Sequence, residues 1–501
     1  IVLYRMGKPE EAVVASLTDC LRKFQHWTDD ELLEQRQAAR DIALKAGWKD
    51  FYKLYRESYQ TAASHAEKRA VRREAIMAGR MGHIVPTRVS AQPHFRSFVA
   101  ERRLPRKIRR LREIANNLWW TWHTRAEEMF ARIDPTLWRE NGGNPLKLLD
   151  DIPGERLKEL ADNENFVHRY QDVTRALDEY MDRRDLAPEL DNTKAISWTH
   201  PVAYFSLEYG LHESLPLYSG GLGVLSGDHM KTASDLRIPL IGMGLFYKHG
   251  YFRQRIDKDG KQVAEYRVNE FLTLPIEQLQ EAADVPMTIS VEFPGRTLFA
   301  SIWKLQIGHV VIYLLDTDVP ANTGRDRNIT DQLYVGDERI RVEQELLLGI
   351  GGARALRKLG IEPSLFHLNE GHSAFLILEN MRLLMKEAGL SFEEAREVIK
   401  NKTVFTTHTP VDAGNERFSP DLIRHYFAHF CKEVGVGVDR VLELGRCEGG
   451  EDKPFDMTML ALKTSSKANG VSKLHGAVAR RMWEHVWPGV HRSMIPIGSV
   501  T

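Results

Sequence analysis

Residues Tyr204–Asp228, read as YFSLEYGLHESLPLYSGGLGVLSGD, constrain the fold more than any other stretch of this chain. An apolar β-type run, Val202–Leu207, leads through a polar elbow into Tyr218-Ser219-Gly220-Gly221-Leu222-Gly223, a turn tight enough to need glycine. Beyond it the sequence predicts a helix capped by Ser226 or Asp228 and running through Leu236. Such a turn presents free backbone N–H groups and the positive end of the helix dipole, which suits a phosphate. Glu208, just past the strand end, falls near the same place. A carboxylate beside an anion is costly unless protons or sugar hydroxyls mediate, so the pair points to phosphate chemistry on a polyol. The glycine spacing alone is neither G-x-G-x-x-G nor a Walker A loop, and it equally suits a structural turn between strand and helix.

From Ile196 onward, short β-type runs (Val202–Leu207, Leu240–Phe246, Val310–Leu315, Val404–Thr407) alternate with helical stretches, clearest at Ile340–Leu359 and Ser373–Ala388. This alternation predicts an α/β fold with a mostly parallel sheet. The segment Tyr251–Pro294 reads as a polar, β-rich excursion. In such folds ligands gather at the C-terminal ends of the strands. Those ends carry Glu208 with Gly220-Gly221, then Asn369-Glu370-Gly371-His372, then His408-Thr409-Pro410.

The N-terminal part reads differently. Thr28-Asp29-Asp30-Glu31 is a capping-box match, and Trp48, Phe51, Tyr52, Tyr55 and Tyr59 form an aromatic stripe at helical spacing that reads as core. Residues 68–112 hold 14 Lys/Arg against two acids, interrupted by Gly79, Gly82, Pro86 and Pro93, the pattern of a solvated face and linker. Residues 95–190 read as a helical unit. Leu111, Ile114, Ala115, Leu118, Trp119 and Trp122 give an apolar face, and Asn141-Gly142-Gly143-Asn144-Pro145 a turn. Trp119, Trp120, Trp122 and Trp138 have faces that suit a sugar ring, yet tryptophans at helical spacing read first as core.

Bulk properties narrow the function. The 501 residues suffice for roughly three domains, and the net charge of zero gives no signal for nucleic acid or an anionic membrane. No apolar run approaches a membrane span, and no signal peptide is visible. Cys20, Cys431 and Cys447 are too few for a disulfide framework, which favours a cytoplasmic setting. The chain begins at Ile1 and stops at Val500-Thr501 after an apolar run, so it reads as a piece of a longer polypeptide.

Asn369, Glu370 and His372 together offer donors and acceptors for vicinal hydroxyls, and His408 a donor to a sugar oxygen. His367 and His372, five residues apart, fit neither a helix face nor a zinc protease motif, so no metal is expected.

Phe205-Ser206-Leu207-Glu208, Ser219-Gly220-Gly221-Leu222-Gly223, Leu368-Asn369-Glu370-Gly371-His372-Ser373, Thr407-His408-Thr409-Pro410 and Ala468-Asn469-Gly470-Val471-Ser472-Lys473-Leu474-His475 resemble the α-glucan (glycogen/maltodextrin) phosphorylases. Order and spacing resemble the shorter bacterial branch, and residues 95–190, with Asn117-Leu118-Trp119-Trp120 and Ile133-Asp134-Pro135-Thr136-Leu137-Trp138, resemble its helical N-terminal domain. Residues 1–75, around Leu17-Thr18-Asp19, Phe24, Arg36-Gln37, Trp48 and Tyr52–Tyr59, resemble the C-terminal tail of an animal/fungal-type glycogen synthase. That implies a synthase–phosphorylase fusion, with 76–94 as basic linker and 195–501 as the N-terminal catalytic α/β domain.

The resemblance implies two Rossmann-like domains flanking the active site, and pyridoxal 5′-phosphate held as a Schiff base to a lysine of the C-terminal domain, outside this chain. The hexosyltransferase reaction it implies converts α-1,4-glucan and inorganic phosphate to α-glucose 1-phosphate with retained configuration. Carried over by motif, Gly220 and Gly221 approach phosphate and cofactor, and Leu222 contacts the glucosyl unit through its N–H. Glu208 lies near the phosphate, His408 meets the 6-hydroxyl region, and Asn369, Glu370 and His372 supply the neighbouring polar shell. Asp337 falls where larger members carry a longer gating loop. The chain alone is expected to be inactive, and a homo-oligomer stays open. A non-catalytic glucan-binding or regulatory module and a nucleotide-sugar glycosyltransferase remain as alternatives.

Overall fold

The computed structural model describes residues 103–183 and 196–500, apart from 267, 270, 283–284, 412–413 and 447–452. The capping box at Thr28, the aromatic stripe, the synthase-like segment 1–75, the linker 76–94 and Cys20 and Cys447 lie outside the described residues.

Residues 104–182 are helical, with helices at Leu111–Asn116, Thr124–Ile133, Pro135–Glu140, Pro145–Asp151, Gly154–Asp162 and Glu164–Asp182. Their starts are written in local chemistry. Asp134 and Asn144 accept bonds from the first backbone N–H groups of the helices they precede, each followed by proline at the first position, and Asn163 caps the last helix. Leu111, Ile114, Ala115, Trp119 and Trp120 are buried in one core, with Trp122 and Trp138 packed against it, so the tryptophans pack as core. The expected continuous face is broken at Asn117, which adopts an extended conformation and caps a short 3-10 turn, Leu118–Trp122. The same Asn117 Oδ1 accepts a bond from Gly308 N–H at 2.7 Å, and Trp122 Nε1 donates to Asp235 at 3.1 Å. These contacts seat the helical unit on the sheet.

Among the described residues, ten strands form the main sheet. In chain order they are β1 Val202–Phe205, β2 Leu240–Leu245, β3 Ile276–Gln278, β4 Thr288–Phe293, β5 Arg296–Ile307, β6 Val310–Asp316, β7 Leu365–Asn369, β8 Thr403–Thr407, β9 Lys467–Gly470 and β10 Ile497–Ser499. Their order is β10-β9-β8-β7-β1-β2-β6-β5-β3, with β4 also on β5. All pairs from β10 to β6 are parallel, while β5 pairs antiparallel with β6, β3 and β4. The α/β expectation therefore holds. Every residue of β1, β2, β7 and β8 is buried, as parallel strands covered on both faces require. The stretch Tyr251–Pro294 is only partly an excursion, because β3 and β4 widen the sheet through its antiparallel flank. Among the described residues, no helix is long and apolar enough to cross a membrane.

The chain starts in the middle of the sheet, moves from β1 to β2 and β6, and then crosses to β7 on the other side of β1. This reversal lies between the C-terminal ends of β1 and β7, the place where doubly wound folds open a crevice for ligands. The expected helix Ile340–Leu359 is two helices, Glu338–Leu346 and Gly352–Lys358, joined by a π-turn at Leu347–Gly351. Glycine permits the close approach here: a Cβ on Gly349 would meet Leu376 N at 2.6 Å, and one on Gly352 would meet Phe205 Cε1 at 2.6 Å. The expected helix at Ser373 begins instead at Leu376, after a 3-10 turn over Gly371–Ser373.

Candidate active site

The glycine turn builds one wall of the crevice. Its helix spans Gly221–Asp235 with Gly220 as N-cap, so it begins ahead of both expected caps. Ser226 lies inside the helix, donating its hydroxyl to Leu222 O at 2.7 Å, and Asp228 is also an interior residue. Consecutive glycines start the helix early because no side chain obstructs the turn. The first N–H groups, on Gly221, Leu222 and Gly223, precede the first intrahelical bond, Val224 N–H to Gly220 O. The glycines fall into two kinds. A Cβ on Gly223 would meet Glu208 Oε2 at 2.7 Å, and one on Gly227 would meet Gly210 O at 2.0 Å, so both are packing glycines. A Cβ on Gly220 or Gly221 would meet nothing within 4 Å, so these two border open space.

Glu208 is buried against this turn. Its Oε2 accepts from Ser219 N–H at 2.7 Å and Gly220 N–H at 3.2 Å, and its Oε1 accepts from the Tyr334 hydroxyl. The carboxylate thus holds the turn in shape and leaves the N–H groups further on to an incoming anion. Tyr334 was not legible as a site residue. It has φ 58 and belongs to the loop before Asp337, and a lone tyrosine there carries no motif. Burial and the facing Glu208 carboxylate raise its hydroxyl pKa.

Strand ends β7 and β8 build the opposite wall. Asn369 is fully buried, with Nδ2 donating to Ser206 Oγ and Ser226 Oγ at 3.1 Å each. Its Oδ1 lies 2.6 Å from His408 Nε2. Glu370, in a strained left-handed conformation (φ 71), accepts from His408 N–H at 2.7 Å, Thr409 N–H at 3.1 Å and Thr409 Oγ1 at 3.0 Å. Burial pushes its carboxyl pKa up, and these hydrogen bonds oppose the rise. The carboxylate therefore braces the β8 end. His475, at the start of the helix after β9, reaches Thr409 O at 3.4 Å. His408 is pushed down to about 3, chiefly by burial, so its ring is neutral at ordinary pH.

His372 Nδ1 is buried without a hydrogen-bond partner, and burial lowers its pKa to about 4. Its ring lies 6.0 Å from that of Tyr334. Asp337 is the exposed N-cap of Glu338–Leu346, accepting from Arg339 N–H at 2.8 Å and Ile340 N–H at 3.3 Å. The structure thus links Glu208, Gly220, Asn369, Glu370 and His408 through shared hydrogen bonds. Gly221 and Leu222 adjoin them, His372 stands beside Tyr334, and Asp337 serves its own helix. The linking residues Ser206, Ser226 and Thr409 are small hydroxyls whose role only the fold reveals.

The His408 Nε2 that faces Asn369 is engaged in that contact, which leaves Nδ1 as the ring nitrogen not turned to Asn369.

Comparison with known proteins bears on the family. A family model described as carbohydrate phosphorylase matches residues 355–488, and one described as a protein of unknown function (DUF3417) matches residues 104–215. The maltodextrin phosphorylase of Thermococcus litoralis is 46% identical over 404 residues, covering 80% of this chain and 47% of that protein. The glycogen phosphorylase of Mycobacterium tuberculosis (strain CDC 1551 / Oshkosh) is 41% identical over 422 residues, covering 81% and 48%. That of Aquifex aeolicus is 35% identical over 376 residues, covering 75% and 53%. The chain spans about half the length of these curated relatives. Over the matched part, about four fifths of its length, the chain is similar to the α-glucan phosphorylases.

Proposed function

We propose that this chain supplies the N-terminal, Rossmann-like catalytic domain of an α-1,4-glucan phosphorylase of two-domain glycosyltransferase type. The whole protein cleaves glycogen or maltodextrin with inorganic phosphate to α-glucose 1-phosphate, with retention. The observation that carries this reading is the crevice at the sheet reversal. There a glycine turn bordering open space starts a helix, and a neutral histidine is tied to that helix through Asn369 and Ser226, a layout suited to a phosphate beside a hydroxyl-rich ring.

The geometry supports the following roles. Gly221 and Leu222 N–H groups receive anionic or hydroxyl oxygens. Glu208 holds the turn and, through Tyr334, the loop before Asp337. His408 Nδ1 accepts from a glucosyl hydroxyl. Glu370 sets the chain position of His408, and His372 contributes to the polar wall. The space beside Gly220 and Gly221, where an added Cβ meets nothing within 4 Å, fits the approach of pyridoxal phosphate, whose lysine lies outside this chain. When bound, that cofactor supplies a phosphate group that gives and takes a proton with inorganic phosphate. We also infer a cytoplasmic protein and a synthase–phosphorylase fusion joined near residues 76–94, in which the 501-residue chain by itself is inactive.

The test is phosphate-dependent release of glucose 1-phosphate from maltodextrin by the whole reading frame supplied with pyridoxal phosphate. Release that disappears in Gly221→Trp and His408→Ala is expected. No release from a protein with cofactor bound would overturn the reading.

A further inference from the structure

Asn369 carries a role beyond lining the crevice, and five hydrogen bonds reveal it. Ser206 Oγ donates its single proton to Glu208 O at 2.8 Å, and Ser226 Oγ donates its own to Leu222 O at 2.7 Å. The contact between the two hydroxyls is longer, 3.3 Å. With their protons engaged, both serines can only accept from Asn369, and so they face its NH2 group, at 3.1 Å each. The amide is therefore oriented, and its Oδ1 points at His408 Nε2, 2.6 Å away. An amide oxygen only accepts, so Nε2 must carry the ring proton.

We propose that Asn369 is a positioning residue that locks His408 in the Nε2–H tautomer, so that Nδ1 presents a lone pair to the crevice. A hydroxyl is then read as a donor, and a substrate group without a proton at that position is refused. The lock spans three elements, with Ser206 after β1, Ser226 in the glycine-turn helix and Asn369 ending β7. It couples the orientation of His408 to the same helix that offers its N–H groups to an anion. Glu370 holds the His408 backbone in place, and the amide then decides which ring nitrogen is bare.

The inference rests on the phosphorylase reading only for the identity of the hydroxyl, and its test separates the two. The chain is labelled with nitrogen-15 histidine and its long-range proton–nitrogen spectrum recorded at neutral pH. The His408 signals are identified by their loss in His408→Gln. A protonated Nε2 with a bare Nδ1 is expected, and in Asn369→Ser the signals should move to a mixture of tautomers. A proton on Nδ1, a doubly protonated ring, or an Asn369→Ser spectrum identical to the parent would overturn the proposal. If Asn369→Ser does not fold, the parent spectrum alone decides. In the whole protein, Asn369→Ser should raise KM for maltodextrin by about tenfold. Absence of phosphorolysis with the expected tautomer would sink the function and leave the lock standing.

Discussion

The helical unit and the strand-end crevice solve the same problem, satisfying polar groups, at opposite ranges. In the helical unit, Asp134, Asn144 and Asn163 bond backbone N–H groups two or three residues further on. In the crevice, Asn369 reaches Ser206 and Ser226 across 163 and 143 residues, and Tyr334 reaches Glu208 across 126. Local caps stabilise one helix each and can be lost singly. The crevice network ties β1, β7, β8 and the glycine-turn helix together, so each member leaves buried groups unpaired when removed.

This contrast can be attacked first where the effect is largest. Gly227→Ala places a methyl 2.0 Å from Gly210 O and should lower stability by about 3 kcal/mol or more, read from the urea midpoint. Gly221→Ala, whose Cβ meets nothing, should move that midpoint by well under about 1 kcal/mol. Equal losses in the two would break the division into packing and open glycines. In the helical core, Trp120→Ala should cost about 3–5 kcal/mol, a cavity effect independent of the crevice.

Acid should weaken the crevice before the caps. Burial lowers His408 and His229 to about 3 and His372 to about 4. Histidine in the unfolded chain titrates near about 6.5, so the unfolded state binds more protons below that pH. This contribution is intact above about pH 6.5 and shrinks as pH falls toward the folded values. Urea midpoints should therefore fall between about pH 7.5 and pH 5, and the fall should be smaller in His372→Phe, which keeps the ring volume. A midpoint flat over that range contradicts the buried neutral histidines. The smallest effect is expected at the caps: Asn163→Ala should cost about 1 kcal/mol and leave that pH dependence unchanged.

The legibility of the sequence follows the same division. The parallel α/β alternation, the tryptophan core and the Asn141–Pro145 turn were readable because periodicity and capping are short-range signals. So was the nearness of Glu208 to the glycine turn, since eleven residues and one elbow separate Glu208 from Ser219. The helix start at Gly221 was misplaced, because side-chain caps are visible in a sequence and a glycine N-cap without one is not. The π-turn at Leu347–Gly351 was missed because its cause is the approach of the helix at Leu376 and of Phe205, both distant in the chain.

The chain's own order of residues determined which groups stand at the strand ends: a carboxylate, two open glycines, an Asn-Glu pair and a histidine. Only the tertiary structure decided what each does. Parallel pairing brings β1, β7 and β8 side by side, and there Glu208 is committed to backbone N–H groups, Glu370 to the chain at His408, and His408 to donating at Nε2 and accepting at Nδ1. A hydrogen bond has direction, and its direction depends on partners more than a hundred residues away.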